Sequence, residues 1–392
     1  MSGHSETTTT DDVIKTLLQN GFADGLPAIA QMILNAAMLA ERTAFLHAGP
    51  YERAQGRTGH ANGFKPRSLG TALGKLDILV PQTRGTEQPF RSSLLESGSR
   101  VDRSLKASIA EMYLQGVSTR RVESILKELC GLEISSTQVS RLTSQLDAEF
   151  EKWRNRPLPE IAFLVLDATY IKVRLEGAVR DCAVLTAIGI RRDDGKRLAL
   201  GVSAALSEAE PHWRAFLASL KERGIGIPDM VTSDAHEGLK AALRATLNAS
   251  PWQRCQFHLQ QNAQAHVPNL AMRREVAADI RSVFDAPDRP KAEARLAEIA
   301  DKYRKSAPKL AAWMEANLPE GLTVFLLPEH CRRRLRTSNM CESLNLRIKR
   351  RTRVAGLFPN EASILRLVTA ILMETSEEWE TGRAYLCLHQ TT

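Results

Sequence analysis

No stretch of about 18 or more uncharged apolar residues occurs in this chain of 392 residues, so no membrane-spanning helix is expected. The cysteines are few and scattered, at Cys130, Cys182, Cys255, Cys331, Cys341 and Cys387. No two form a C-x-x-C pair, and their spacing argues against a disulfide framework. The opening MSGHSETTTTDD is polar and lacks the apolar core of a secretory signal. Internal repeats and long low-complexity tracts are missing too. These absences predict a soluble protein in a reducing compartment, with no membrane among its partners.

What is present suits a globular protein of more than one unit. The length suggests two or three units of about 100–200 residues, and an apolar fraction of 43% is enough for real cores. Lys and Arg outnumber Asp and Glu 53 to 45, for a net charge of +8. A basic excess points towards a polyanion, because Lys and Arg release counterions from a phosphate backbone, although many basic proteins bind no nucleic acid.

Residues 1–11 read as a disordered tail. From Asp12 to about Leu46 the apolar residues recur at helical spacing, as at Val13, Leu17, Leu18 and Phe22. Between Pro50 and Pro89, glycine and basic residues dominate, and GKLDILVPQTR reads as one short strand with Leu76, Ile78 and Val80 alternating. Together, 12–100 form a helical region with a small basic β-containing element. In 101–150 the helical period returns, with Val101, Leu105, Ile109 and Met112 on one stripe. GVSTRRVESILKELCGLEISSTQVSRLTSQL then reads as helix, Gly131 turn, helix, with Ser135 or Ser136 capping the second helix. A helix-turn-helix would present Gln138, Arg141 and Ser144 to a DNA groove; an ordinary helical hairpin has the same pattern.

From Ile161 the pattern becomes α/β. IAFLVLDATYIKV is a nearly continuous apolar run, as in a strand buried on both faces. DCAVLTAIGI and RLALGVSAAL follow around the charged turn RRDDGK, predicting an antiparallel meander. A helix then buries Trp213, Phe216, Leu217 and Leu220. MVTSDAHEGL and WQRCQFHLQQN each read as a strand running into a helix. Residues 270–318 read as wholly helical, and the last helix carries Ile364, Leu367, Ile371 and Leu372.

Three acids punctuate this region. Asp167 interrupts LVLDATY, where an uncompensated acid is costly to bury. Asp234 lies between an apolar run and AHEGLKAAL, where helix N-capping is the simpler reading. Glu342 has Asn339 three residues before it, which fits a capping-box-like start. In order they fall on a strand, at a strand-to-helix switch and on a late helix, an order able to converge three carboxylates at one sheet edge. Such a set suits Mg²⁺, a hard ion that binds through a few carboxylates together with substrate phosphate.

GVSTRRVESIL, LVLDATYIKVR, VTSDAHEGL, WQRCQFHLQQN and RTSNMCESLNLRIKRRTRVAGLFPNEASILRL together resemble the Mutator-type transposases of bacterial insertion sequences, over nearly the whole chain. The resemblance implies an α/β fold: a ribonuclease H-like mixed sheet with an all-helical insertion, preceded by a mainly helical DNA-binding region. The catalytic core would occupy 155–265 and 321–392, with the insertion at 266–320 and the helix-turn-helix at 101–150. Asp167, Asp234 and Glu342 would be the catalytic metal ligands, for Mg²⁺ with Mn²⁺ as substitute and no nucleotide cofactor. The implied partners are double-stranded DNA, as terminal inverted repeats and target, and a second copy of the chain, at least a homodimer when assembled on DNA. The implied location is cytoplasmic and nucleoid-associated. Two rivals stand beside this reading: a catalytically dead DNA-binding regulator, which would tolerate loss of the acids, and a structure-specific nuclease or recombinase, which would not need the N-terminal region.

Cys255 and His258 form a C-x-x-H pair, and the resembled family carries the same pair after its second acid. Zinc requires about four ligands, and His266, His330, Cys331 and Cys341 could join only through long-range folding. A buried Cys beside a satisfied His is the plain reading; the family implies an active-site accessory role. Arg347, Lys349, Arg350, Arg351 and Arg353 follow Glu342 closely enough to reach substrate phosphates, with Lys349 and Arg350 foremost, although a charge run is usually a solvated face. Arg332, Arg333, Arg334 and Arg336 add charge before the same helix. Arg120 and Arg121 are further DNA-contact candidates, as are Arg53, Arg57, Lys65 and Arg67. Trp313 is a candidate to stack on an unpaired base, or else core.

Overall fold

The computed structural model describes residues 10–96, 99–115, 117–144 and 146–388, without the side chains of 10–13, 22–24, 354 and 355. The readings on Val13 and Phe22 therefore lie outside the described residues. The chain divides into two compact units, Met1–Gln145 and Leu146–Thr392.

In the first unit, helix α1 (Thr10–Leu46) is interrupted at Gly21, whose φ of 72° is non-helical. Thr10 and Asp11, expected in a disordered tail, are helical, and residues 1–9 lie outside the described residues. The expected strand is present as β2 (Gly74–Arg84), and it pairs antiparallel with β1 (His60–Thr71). Sequence gave no sign of β1, because Pro66, its glycines and its exposed basic residues hide the period-two signal. Leu76 and Ile78 of β2 pack with Met38 of α1. The outer edge of β2 is covered by α1: Gln31 Oε1 accepts from Asp77 N–H at 3.2 Å and Asn35 Oδ1 from Leu79 N–H at 2.9 Å. One helical turn thus satisfies two successive outward N–H groups, which blunts an otherwise sticky edge.

Helices α2 (Arg103–Leu114), α3 (Thr119–Cys130) and α4 (Ser136–Ser144) share a small core of Leu105, Ile109, Val122, Leu126 and Val139. Helix α3 ends at Gly131, at φ 62°, with Gly131 N–H donating to Lys127 O and Leu132 N–H to Leu126 O. The Gly131 bond to Lys127 O is that of a left-handed αL cap, and Leu126 and Leu132 pack in the same small core beside it. Ser135 caps α4 through a reciprocal box. Its hydroxyl accepts from Gln138 N–H at 3.3 Å while Gln138 Oε1 accepts from Ser135 N–H at 2.9 Å.

The second unit opens with α5 (Asp147–Arg154) and is built on a five-stranded mixed sheet in the order β5-β4-β3-β6-β7. Strands β3 (Ile161–Leu175), β4 (Ala178–Arg191) and β5 (Arg197–Ala205) form the expected antiparallel meander. Glu176 and Gly177 join the first two, both at positive φ (48° and 81°), the signature of a two-residue hairpin turn. After α6 (Glu210–Glu222), β6 (Met230–Ser233) pairs parallel with β3. After α7 (Glu237–Thr246), β7 (Trp252–Arg254) pairs parallel with β6.

Alternating side chains of β3 enter two cores. Leu164 and Leu166 pack with Trp213, Leu217 and Leu220 of α6 and Leu239 of α7. Phe163 and Val165 face the opposite layer, built from α12 (Glu329–Leu335), α13 (Asn339–Ala355) and α14 (Glu361–Thr381). Burial of both faces explains the continuous apolar run of 161–166. Beyond Asp167 the pattern alternates buried and exposed, because the β3–β4 hairpin there extends past β6.

Between β7 and α12 lie α8 (Gln256–Ala263), α9 (Arg273–Phe284), α10 (Arg289–Arg304) and α11 (Pro308–Asn317), with a core of their own. This helical cluster leaves and returns at one place. Buried Gln253 and Gln256 both donate to Gly321 O at 2.9 Å, Val324 N–H donates to Gln253 Oε1, and Arg254 binds Asn317 and Glu320. No helix among the described residues is long and apolar enough to cross a membrane.

The Gly131 cap yields a prediction. Gly131→Ala forces a Cβ into the left-handed region and should cost about 1–2 kcal/mol, whereas Gly131→Asn should cost clearly less. Denaturant titrations of the two variants check this, and equal losses would count against the cap.

Candidate active site

The parallel register of β3 and β6 pairs Phe163 with Met230, Leu164 with Val231 and Val165 with Thr232. Continued two steps, it sets Asp234 level with Asp167, at the carboxyl end of β6. Each aspartate bonds the next backbone N–H: Ala168 N–H donates to Asp167 Oδ1 at 2.9 Å and Ala235 N–H to Asp234 Oδ1 at 2.7 Å. Asp234 does not cap α7; its N-cap position is His236.

Glu342 comes to the same edge on the first turn of α13. The link into that helix is tied to the sheet: Thr232 Oγ1 donates to Leu335 O at 2.8 Å, Gln256 N–H donates to Arg336 O, and Cys255 N–H donates to Ser233 O. Ser338 N–H and Oγ–H both donate to the Cys255 sulfur at 3.4 Å. The capping box expected from Asn339 is not formed. The N-cap is Ser338, and Glu342 Oε1 is buried without a hydrogen-bond partner among the described residues. Register with Ser338 leaves Asn339 exposed and turns Glu342 inward.

One turn after Glu342, Asn345 Nδ2 donates to Asp167 Oδ2 at 2.8 Å, locking α13 to β3. Sequence reasoning passed over Asn345, although its i+3 spacing from Glu342 was the available signal. It also passed over Glu208, which precedes α6 and stands near enough to act on Asp167 electrostatically. Burial raises the Asp167 carboxyl from 3.8 to about 6; the Ala168 N–H and His258 oppose this, and the Asp234 and Glu208 charges add to it.

Cys255 and His258 join this cluster. Cys255 is the N-cap of α8 and is fully buried. Its sulfur, a His258 ring nitrogen and a Glu342 oxygen lie within 4.8 Å of one another. The adjacent Cys255 raises the imidazole to about 9 against the effect of burial, with Asp234 and Asp167 contributing. His258 Nδ1 itself has no hydrogen-bond partner among the described residues, so the sulfur acts on the ring without bonding that nitrogen.

The basic residues after Glu342 divide by helix face. Arg347 pairs with Glu378 at 2.8 Å and Arg351 with Glu374 at 2.7 Å, which ties α13 to α14. These two expected DNA contacts are thus engaged inside the unit. Lys349 and Arg350 are exposed, and Lys349, seven residues on, lies within about 20° of the Glu342 face. Arg336 pairs with Asp285, Arg332 donates to Leu327 O and Pro287 O, and Arg334 covers the Tyr385 ring. Trp313 is half-buried against the helical cluster, with its ring stacked on His266 at 5.3 Å.

In the first unit, Arg120 and Arg121 are exposed at the start of α3. Arg141 and Gln138 border a groove of ≈ 850 Å³ that Lys75, Arg100 and Lys106 also line. Gln138 spends its side-chain oxygen on the α4 cap. Arg57 and Arg67 bind backbone carbonyls, whereas Arg53 and Lys65 are exposed.

The three acids stand on a mixed α/β sheet and its helical layer, Asp167 within β3, Asp234 just past β6 and Glu342 on α13, and comparison with known proteins defines the class. The chain belongs to the Mutator family of transposases, whose family model matches residues 2–382. It is 50% identical to the transposase for insertion sequence element IS406 of Burkholderia multivorans, covering 98% of this chain and 99% of that one. It is 38% identical to the transposase for ISRM5 of Rhizobium meliloti, over 97% and 95%. The transposase for IS256 in transposon Tn4001 of Staphylococcus aureus is 35% identical, over 96% and 93%. Among solved structures, the Drosophila P element transposase strand transfer complex aligns over 76% of this chain and 83% of that one, at 11% identity and a TM-score of 0.30, too low to bear on the fold.

The raised Asp167 pKa has a stability consequence. A carboxyl whose folded pKa is raised contributes stability that is present below about 4 and lost as pH rises through about 6. The metal-free chain should therefore gain on the order of 3 kcal/mol from this group on acidification across that window. Asp167→Asn should be more stable than the parent at pH 7 in chelator and should flatten that rise. Denaturant melts at several pH values measure it, and an unchanged profile in the variant would refute the assignment.

Proposed function

We propose that this chain is a DNA transposase that binds the terminal inverted repeats of its insertion sequence and catalyses metal-dependent strand cleavage and strand transfer. The observation that carries the proposal is the hydrogen bond from Asn345, one turn after Glu342 on α13, to Asp167, whose strand register continued past β6 sets Asp234 level with it. Membership of a family whose curated relatives are insertion-sequence transposases supports it. The order β5-β4-β3-β6-β7, with three antiparallel strands followed by two parallel ones, supports a ribonuclease H-like core.

The residues fit a hard divalent cation. Glu342 Oε1 is buried with no partner, and Asp167 is destabilised as an anion by burial and by neighbouring acids. Asp167, Asp234 and Glu342 would hold Mg²⁺, with Mn²⁺ as substitute. When bound, such ions supply Lewis acidity to the phosphate and lower the pKa of an attacking water.

The chain's own residues do the positioning. Asn345 orients Asp167, and Ser338 on Cys255 fixes the start of α13 and so Glu342. Lys349, two turns along the Glu342 face, binds phosphate next to the cut, and Arg350 assists. No side chain needs to become covalently attached: water opens one phosphodiester, and the freed 3′-hydroxyl attacks another. Because one phosphodiester replaces another, no nucleotide cofactor is consumed. The first unit recognises element ends, with Arg120, Arg121 and Arg141 as phosphate contacts. Pairing two ends requires at least a dimer on DNA, in the cytoplasm at the nucleoid.

An Mg²⁺-dependent nicking and joining assay on element-end DNA tests the chemistry. Asp167→Asn and Glu342→Gln should each lose about 10³-fold or more; variants that cut and join like the parent would sink the proposal. Binding gives a second test. Lys349→Ala should weaken DNA affinity and reduce the salt slope by about one, whereas Arg347→Ala should leave that slope unchanged. Equal slopes for Lys349→Ala and the parent would remove Lys349 from the interface.

A further inference from the structure

Two buried polar atoms at the acid cluster, Glu342 Oε1 and His258 Nδ1, have no hydrogen-bond partner among the described residues. Beside them is the buried Cys255 sulfur, and one ligand atom from each of the three residues lies within 4.8 Å of the others. Tetrahedral ligands stand roughly 3.5 Å apart around zinc, so small side-chain rotations suffice to close the set. Cys255 and His258 are one helical turn apart at the start of α8, a short chelate on one helix. Ser338 donates two hydrogen bonds to the sulfur, which favours its thiolate and orients it. Sulfur, nitrogen and one carboxylate oxygen make a donor set that Mg²⁺ does not seek and that a borderline-soft ion does.

The geometry points to a second metal site, formed by Cys255, His258 and Glu342, that takes zinc or an ion of its class and leaves a fourth position open to water. The site shares Glu342 with the carboxylate set. A zinc ion seated there withdraws Glu342 from Asp167 and Asp234, which makes zinc an antagonist of Mg²⁺-supported activity. The antagonism rests on the carboxylate reading given above; the site itself does not.

Cobalt is the probe. The full chain, without DNA, is titrated with Co²⁺ and followed by its thiolate charge-transfer band in the near ultraviolet and its visible bands. Both should appear, zinc should displace cobalt, and excess Mg²⁺ should not. Cys255→Ser should abolish the charge-transfer band. His258→Gln, Glu342→Gln and Ser338→Ala should each weaken cobalt binding about tenfold or more, with circular dichroism confirming the fold. The site is overturned if the parent gives no charge-transfer band, or if Cys255→Ser keeps it, which would assign the ion to another cysteine. Should Cys255→Ser not fold, His258→Gln and Ser338→Ala decide, and parental affinity in both overturns the site. Zinc added to the Mg²⁺ nicking assay tests the consequence, with inhibition expected at the occupancy zinc reaches in the cobalt competition. Binding without inhibition overturns the antagonism alone, and a parent that never nicks DNA counts against the carboxylate reading alone.

Discussion

The parallel pairing of β3 with β6 is the constraint on which the rest of the second unit depends. It sets Asp167 and Asp234 side by side at the end of a short strand, where one sheet face is still covered by helices. Burial there takes water from the Asp167 carboxylate and the Asp234 charge adds to the cost, so that the charged form of Asp167 is disfavoured. The surrounding core offsets it. Apolar residues of β3, β4 and β5 fill both faces of the sheet, and their burial does not depend on the acids. A site that is unfavourable by itself is held open by a scaffold that is favourable without it.

Helix α13 divides its faces between two tasks. One face carries Arg347 and Arg351 to Glu378 and Glu374 of α14. These half-exposed pairs contribute about 0–1 kcal/mol each, so their role is mainly orientation. The other face carries Glu342, Asn345 and Lys349. The start of the helix is fixed from outside it, by Ser338 on Cys255 and by Leu335 O on Thr232. The helical cluster between β7 and α12 begins and ends at the same buried glutamines, so its size is spent away from the acids. The long separation of Glu342 from Asp234 in sequence therefore costs little in position.

Much of this was legible in residue order. The run through Asp167 announced a strand covered on both faces, the meander followed from RRDDGK between two apolar runs, and Gly131 marked a helix end because only a left-handed residue closes that cap. Strand β1 was hidden, because a hairpin arm with Pro66 and many exposed residues lacks the alternation that a half-buried strand shows. Gln138 was a groove-reading candidate until its side chain proved to close a capping box with Ser135, a bond that depends on where the helix starts. Asn339 and Glu342 matched a cap in spacing but missed it in register, since the helix begins on Ser338.

The sequence by itself indicated most of the strands and helices, β1 excepted, and through family likeness suggested which acids to group, because periodicity and motif are properties of neighbouring residues. Only the tertiary structure decided what those acids meet. It set Asn345 against Asp167, Glu208 near it, and Cys255 and His258 against Glu342. It also assigned Arg347 and Arg351 to α14 and left Lys349 exposed on the Glu342 face. Each of these depends on packing between elements far apart in the chain, where a shift of one residue in strand register or helix start changes every partner.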